Sequence, residues 1–225
     1  MAKRVLFVFS SAAETFTGHP AGWYLPEAAH PYYVLSPKYE IDFASPKGPN
    51  PPVNPQSIEL FSADKTFLED PAVQAKLAGC KTLASVDAAD YAAVFYVGGH
   101  GPVIDLATDP ANAALASAFF RAGKPTSAVC HGPGALVGAT DAAGASVFKG
   151  RRVTGLSNRE EEALDAVKHV PFLLEDRMKE LGGVYECAEL FGVCVVVDGN
   201  LITGQNPASG KGVGEALDKL LSASA

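Results

Sequence analysis

Eleven consecutive residues, Thr126-Ser127-Ala128-Val129-Cys130-His131-Gly132-Pro133-Gly134-Ala135-Leu136, constrain this chain more than any others. A short apolar run ends in a cysteine. A histidine follows, and then a Gly/Pro-rich opening to another element. The pattern predicts a strand, a tight turn and a helix, with the cysteine at the turn. A thiol there points from the strand end toward the positive end of the next helix. That field favours the thiolate, which is the nucleophilic form. The turn also offers exposure and an adjacent base, so Cys130 is expected to be an activated nucleophile.

The rest of the chain repeats the alternation. Strands are expected at residues 4–10, 40–44, 92–97, 126–129, 193–197 and 201–203. The last two flank Asp198-Gly199-Asn200, a hairpin-type turn. Helices are expected at 109–122, 132–137, 160–168, 171–181 and 209–222, with another around Glu27. Strands alternating with helices imply a mainly parallel sheet covered on both faces, a three-layer α/β/α sandwich. Ligands of such sheets bind beyond the carboxyl ends of the strands, where Gly98-Gly99 and Cys130 both fall. Residues 45–55 hold five prolines, so a surface loop or small cap is expected around 45–66 of a single domain spanning 1–225.

Composition narrows the function classes. Eighteen Lys and Arg against 25 Asp and Glu give a net charge of −7, with no basic cluster, which argues against nucleic acid as a partner. No apolar segment is long enough to span a bilayer. The basic start Met1-Ala2-Lys3-Arg4 precedes an apolar run too short for a signal peptide. A cytoplasmic protein without membrane association is expected. Cys80, Cys130, Cys187 and Cys194 match neither a zinc pair nor a CxxC motif, so free thiols are expected, three of them plain buried hydrophobes.

Three further segments can carry chemistry. Gly98-Gly99-His100-Gly101 follows a buried strand, and its glycines let backbone N–H groups approach a ligand. The expected use is an oxyanion hole made by the N–H groups of Gly99 and His131, with His100 beside the substrate. Glu27 lies in an aromatic and proline-rich stretch, where a carboxyl group tends to stay protonated. Asn158-Arg159-Glu160-Glu161-Glu162 opens a helix, and one of its acids can orient an imidazole.

These elements, in this order, resemble the ThiJ/PfpI (DJ-one) superfamily of the class I glutamine amidotransferase-like fold. The resemblance rests on AVCHGP, on Gly98-Gly99-His100-Gly101 and on the segment from Ile202 to Ser209, and it runs from Val5 to about Leu220. Residues 23–31 and the loop after the second strand look like the subgroup of heat-shock chaperones numbered thirty-one, which includes glutathione-independent glyoxalase III enzymes. Residues 170–178 depart from the best-established fungal glyoxalases and suit a broader branch of that subgroup.

The resemblance implies a flavodoxin-like sandwich and a homodimer. It also implies Cys130 as nucleophile, Glu27 as its hydrogen-bond partner, His131 as the adjacent histidine and Glu161 as the acidic member, with Glu160 and Glu162 close enough to compete. The implied activity is conversion of methylglyoxal, a small 2-oxoaldehyde, and water to D-lactate, without metal or cofactor. The alternatives are a holdase chaperone or redox stress protein, and a Cys-dependent peptidase or amidase.

Overall fold

The computed structural model describes residues 3–223; Met1, Ala2, Ser224 and Ala225, the ends of the expected single domain, lie outside the described residues. The chain runs β1 (Arg4–Val8), α1 (Leu25–Leu35), β2 (Glu40–Ser45), α2 (Pro55–Leu60), α3 (Lys65–Glu69), α4 (Pro71–Ala78), β3 (Lys81–Thr82) and β4 (Ala93–Tyr96). It continues α5 (Gly101–Ile104), α6 (Pro110–Arg121), β5 (Thr126–Val129), β6 (Arg152–Val153), α7 (Asn158–Ala163) and α8 (Leu174–Glu180). It closes with β7 (Val184–Tyr185), β8 (Val195–Asp198), β9 (Leu201–Gly204) and α9 (Gly210–Ala223).

The main sheet has the order β3-β2-β1-β4-β5-β9-β8. Every pairing is parallel except β8 with β9, the expected hairpin, whose register joins Val195 to Gly204 and Asp198 to Leu201. Strand side chains alternate between faces. Val5, Phe7, Phe9, Phe43, Phe95 and Ile202 therefore join one core, against α1 and α9. Leu6, Val8, Val94, Tyr96, Ala128 and Leu201 join the other, against α6, α8 and their neighbours. The two cores make the three layers.

Helix starts follow a repeated local rule. Asn54, Asp70 and Asp109 each cap a helix with a side-chain oxygen, and Pro55, Pro71 and Pro110 each take the first helical position. Proline there lacks only an N–H that would have had no helical partner. Where helices were expected at 132–137 and 160–168, the structure differs. Gly132–Leu136 is a short 3-10 turn. The second helix stops at Ala163; Asp165 has φ of 51°, and Val167–His169 forms a separate 3-10 turn. Gly132, Pro133 and Gly134 favour a tight turn over a long helix.

Helices α1 and α9 lie together because Gly214 leaves room for Pro31. A Cβ at Gly214 would sit 2.9 Å from the Pro31 Cα, tighter than real side chains allow. Gly214→Val should therefore destabilise the fold by about 1–3 kcal/mol, the usual cost of overpacking, read as a lower Tm with its cooperativity kept.

Candidate active site

Cys130 directly follows β5 with φ of 58°, a left-handed conformation rare for a residue with a side chain. Its own backbone is pinned on both sides. The Cys130 N–H donates to the Gly204 carbonyl at 2.9 Å, and its carbonyl accepts from the Leu156 N–H at 2.9 Å. The strained turn is thus held by the neighbouring strand and by the segment that leads to α7.

Glu27 reaches this turn from the first turn of α1. Two loops are laced together to bring it there. The Tyr24 N–H donates to the Gly98 carbonyl at 3.2 Å, and the Gly101 N–H donates to the Gly22 carbonyl at 3.3 Å. Gly98 has to be glycine. A Cβ there would lie 2.9 Å from the Cys130 Cβ and would collide with Glu27 Oε2 and the Val129 carbonyl. Gly99, with φ of 90°, leaves its N–H facing the Cys130 sulfur, and the His131 N–H faces it too. These are the two donors expected of an oxyanion hole.

The sulfur lies 3.7 Å from His131 Nδ1. On the far side of the ring, His131 Nε2 is 2.6 Å from Glu161 Oε2. His100 Nε2 is 3.3 Å from the other oxygen, Oε1. Burial would raise the Glu161 carboxyl, but His131 and His100 outweigh it and hold the group well below the usual carboxylate range. An anionic Glu161 accepts the Nε2 proton of His131 and leaves Nδ1 as the free base toward the sulfur. Burial lowers His100, with the Glu161 contact only partly opposing.

The acid is Glu161 because its neighbour is occupied elsewhere. Ser157 and Glu160 form a capping box at the start of α7, so Glu160 turns away from His131. Ser-x-x-Glu is legible in the sequence, and it is the signal that separates these two candidates. Glu162 is exposed.

The thiol differs from expectation. Cys130 is only 5% exposed, whereas Cys187 lies on the surface. Burial, and then Glu27, push the Cys130 thiol well above its ordinary value. Burial likewise pushes the Glu27 carboxyl well above the usual range, despite contacts with Cys130, Gly99 and Gly98. Neither Glu27 oxygen has a well-formed hydrogen bond of its own. Glu27 raises the thiol, whereas the Cys130 contact lowers Glu27, so a charge on Glu27 opposes ionisation of the sulfur. The five-residue 3-10 turn after the cysteine is too short to supply the expected full helix field. The turn by itself therefore does not supply the activated thiolate that the motif predicts.

The site opens into a cavity of about 600 Å³. All five histidines of the chain line it, although His19, His30 and His169 are scattered along the sequence. His19 stacks on His169 with ring centroids 4.4 Å apart. His30 faces both oxygens of Asp64 at 3.1 Å. Gln56 and Leu60 of α2 and Phe61 just after it form one wall, and Leu164, Phe191 and Asn206 form others. His100, His131 and Glu161 each offer a ligand atom within 4.8 Å of the others. Both carboxylate oxygens already meet imidazole nitrogens there, so hydrogen bonds account for the cluster without a metal ion.

A family model described as DJ-1/PfpI matches residues 26–217, which include Glu27, Gly99, His100, Cys130, His131 and Glu161. The chain belongs to the DJ-1/PfpI family. It is 31% identical over 204 residues to glutamine amidotransferase-like class 1 domain-containing protein 1 of Bos taurus, covering 91% of this chain and 87% of that one. It is 30% identical over 226 residues to the glutathione-independent glyoxalase HSP31 of Saccharomyces cerevisiae, covering 92% and 93%. Among solved structures, glyoxalase III of Candida albicans superposes with a TM-score of 0.86 at 25% identity, covering 96% of each chain. That similarity extends the DJ-1/PfpI assignment to the whole α/β/α sandwich. No helix among the described residues is long and apolar enough to cross a membrane.

Proposed function

We propose that this DJ-1/PfpI protein is a glutathione-independent glyoxalase that converts methylglyoxal and water to D-lactate. The observation that carries the reading is the convergence of the Cys130 sulfur, the His131 Nδ1 base and the buried Glu27 carboxyl at one end of a cavity. The names of its yeast relative and Candida structural neighbour support it.

The steps balance within one substrate. The Cys130 thiol gives up its proton as the sulfur adds to the aldehyde carbon. The carbonyl oxygen takes a proton and a hemithioacetal results. The Gly99 and His131 N–H groups stabilise charge developing on that oxygen. His131 Nδ1 removes the hydrogen of the former aldehyde carbon as a proton. The electron pair forms a C=C bond as the ketone oxygen takes a proton, giving an enediol. The second carbon is then protonated while the hydroxyl on the first carbon loses its proton and becomes the thioester carbonyl. The first carbon is oxidised to a thioester and the second reduced to an alcohol, so no redox cofactor is required. Water adds to the thioester, the C–S bond breaks, and lactate leaves with the thiol restored. Glu27 exchanges a proton with the sulfur, and Glu161 fixes the ring of His131.

This reading carries the finer assignments of a lyase acting as a homodimer, as the family resemblance implies, and of a cytoplasmic location, as expected from the sequence. Its direct test is methylglyoxal consumption with chiral detection of lactate. Wild type should make D-lactate, and Cys130→Ala should make none while keeping its Tm. A Cys-His-Glu triad with two oxyanion donors is also the equipment of acyl transfer. If wild type leaves methylglyoxal untouched, cleavage of esters or amides becomes the leading reading.

A further inference from the structure

Phe191 is a large aromatic residue left 47% exposed at the wall of the cavity. Its backbone has φ of 58°, which a bulky residue rarely adopts. Such a conformation lasts only where its surroundings enforce it. Here the enforcement is a buried polar network. Glu160, fully buried, accepts the Phe191 N–H at 3.1 Å and the Asn206 side-chain amide at 2.8 Å on one oxygen. Its other oxygen accepts from the Ser157 N–H at 3.0 Å and the Ser157 hydroxyl at 2.7 Å.

The same Asn206 nitrogen donates to the Gly192 carbonyl at 2.7 Å. The Asn206 oxygen accepts from the Ser209 hydroxyl at 3.1 Å, and that hydroxyl receives the Cys194 N–H at 3.1 Å. Four positions of one loop, 191 to 194, are thus tied at three points to buried groups. Glu160 makes no ion pair among the described residues, so its role is this anchorage.

A strained, half-exposed aromatic held by so many buried groups suits contact with a ligand. The volume points the same way. A cavity of about 600 Å³ falls within the range of roughly 300–1,000 Å³ that encloses drug-sized molecules. A three-carbon dicarbonyl bound to Cys130 leaves most of it empty, facing Phe191, Leu164, Phe61 and Tyr24.

We infer that Phe191 is a specificity-determining wall, with Glu160 and Asn206 as its positioning residues, and that it favours 2-oxoaldehydes carrying an aryl or extended apolar substituent. The inference rests on the glyoxalase reading for the reactive end of the substrate. It stands apart from that reading in how it is tested.

The test compares equilibrium binding of D-mandelate and D-lactate, the aryl and methyl 2-hydroxy acids, to the intact chain by NMR titration. Kinetics with phenylglyoxal and methylglyoxal run alongside. Wild type should bind mandelate about tenfold more tightly than lactate, as expected for burying part of one ring. Phe191→Gly suits the backbone conformation, so it should fold at least as well as wild type. It should lose the mandelate preference and raise KM for phenylglyoxal about tenfold with little change in its kcat. Phe191→Tyr should restore the preference. Glu160→Gln, which replaces an acceptor oxygen with a donor, should shift the preference in the same direction as Phe191→Gly.

Equal binding of the two acids by wild type, or a preference that survives Phe191→Gly, overturns the inference. A protein that prefers mandelate through Phe191 yet makes no lactate from methylglyoxal leaves the wall in place and removes the glyoxalase reading instead.

Discussion

Glu27→Gln should give a protein that withstands alkaline conditions better than its parent, yet turns over methylglyoxal about 10²–10⁴-fold more slowly. Both effects come from one buried carboxyl group. Burial raises Glu27 well above its ordinary value, so the folded chain keeps a proton that the unfolded chain releases. The stability this contributes is complete below the ordinary carboxyl value, near about pH 4.3. It drains away as pH climbs toward the folded value, at up to about 1.4 kcal/mol per pH unit.

Glutamine has no such proton to lose. The Tm advantage of the variant should therefore be small near about pH 5 and widen toward about pH 8. Its side-chain amide can still donate to the sulfur but cannot pass a proton to or from it. A gap that stays level with pH would mean that Glu27 is ionised in the folded chain. Retention of more than about a tenth of wild-type kcat would reduce Glu27 to a positioning role.

The second large effect is expected at Gly98→Ala. The added methyl group has nowhere to go: Glu27 Oε2, the Val129 carbonyl and the Cys130 Cβ surround it. Two of these neighbours belong to backbone or to the strained elbow, so the cheap response is to push Glu27 away from the sulfur. Overpacking should cost about 1–3 kcal/mol in denaturant unfolding. A shift of about 1 Å at the reacting groups should lower kcat/KM by about 10²-fold. Gly123→Ala is the matched comparison. Gly123 has φ of 68° and open space around its Cα, so backbone strain is its whole penalty and activity should survive. Equal activity in the two variants would show that the crowding at Gly98 does not govern the site.

The six longer strands and the elbow were legible because each carries its own local signal, whereas the two-residue strands β3, β6 and β7 are too short to show one. The alternation of Val5, Phe7 and Phe9 with Leu6 and Val8 places them in opposite cores. Glu27, Gly99, His100, Cys130 and His131 were each readable from their neighbours, and the structure gathers them on one cavity. The choice among three successive acids needed one more step, the recognition that Ser157 claims Glu160. Helices α2 and α4 were also within reach, through Asn54-Pro55 and Asp70-Pro71.

Other features had no local signature. His19 and His169 stack although 150 positions separate them, and Thr17 Oγ1 meets His169 Nδ1 only because two loops cross the same mouth. The raised thiol of Cys130 follows from burial, which a turn motif does not report. Phe191 carries no local signal, because the hydrogen bonds around its left-handed backbone come from Glu160 and Asn206 of distant segments.

The parallel register has a consequence for how the molecule loses activity. Cys130 follows β5, Gly99 follows β4, the segment leading to Glu27 follows β1, and the carbonyl that pins Cys130 belongs to Gly204 of β9. No single loop contains the machinery; it exists only while adjacent strands keep their places. Catalysis is therefore a gauge of the sheet itself. In a urea titration the loss of turnover should coincide with the loss of the far-ultraviolet circular dichroism signal, giving one transition midpoint by both probes.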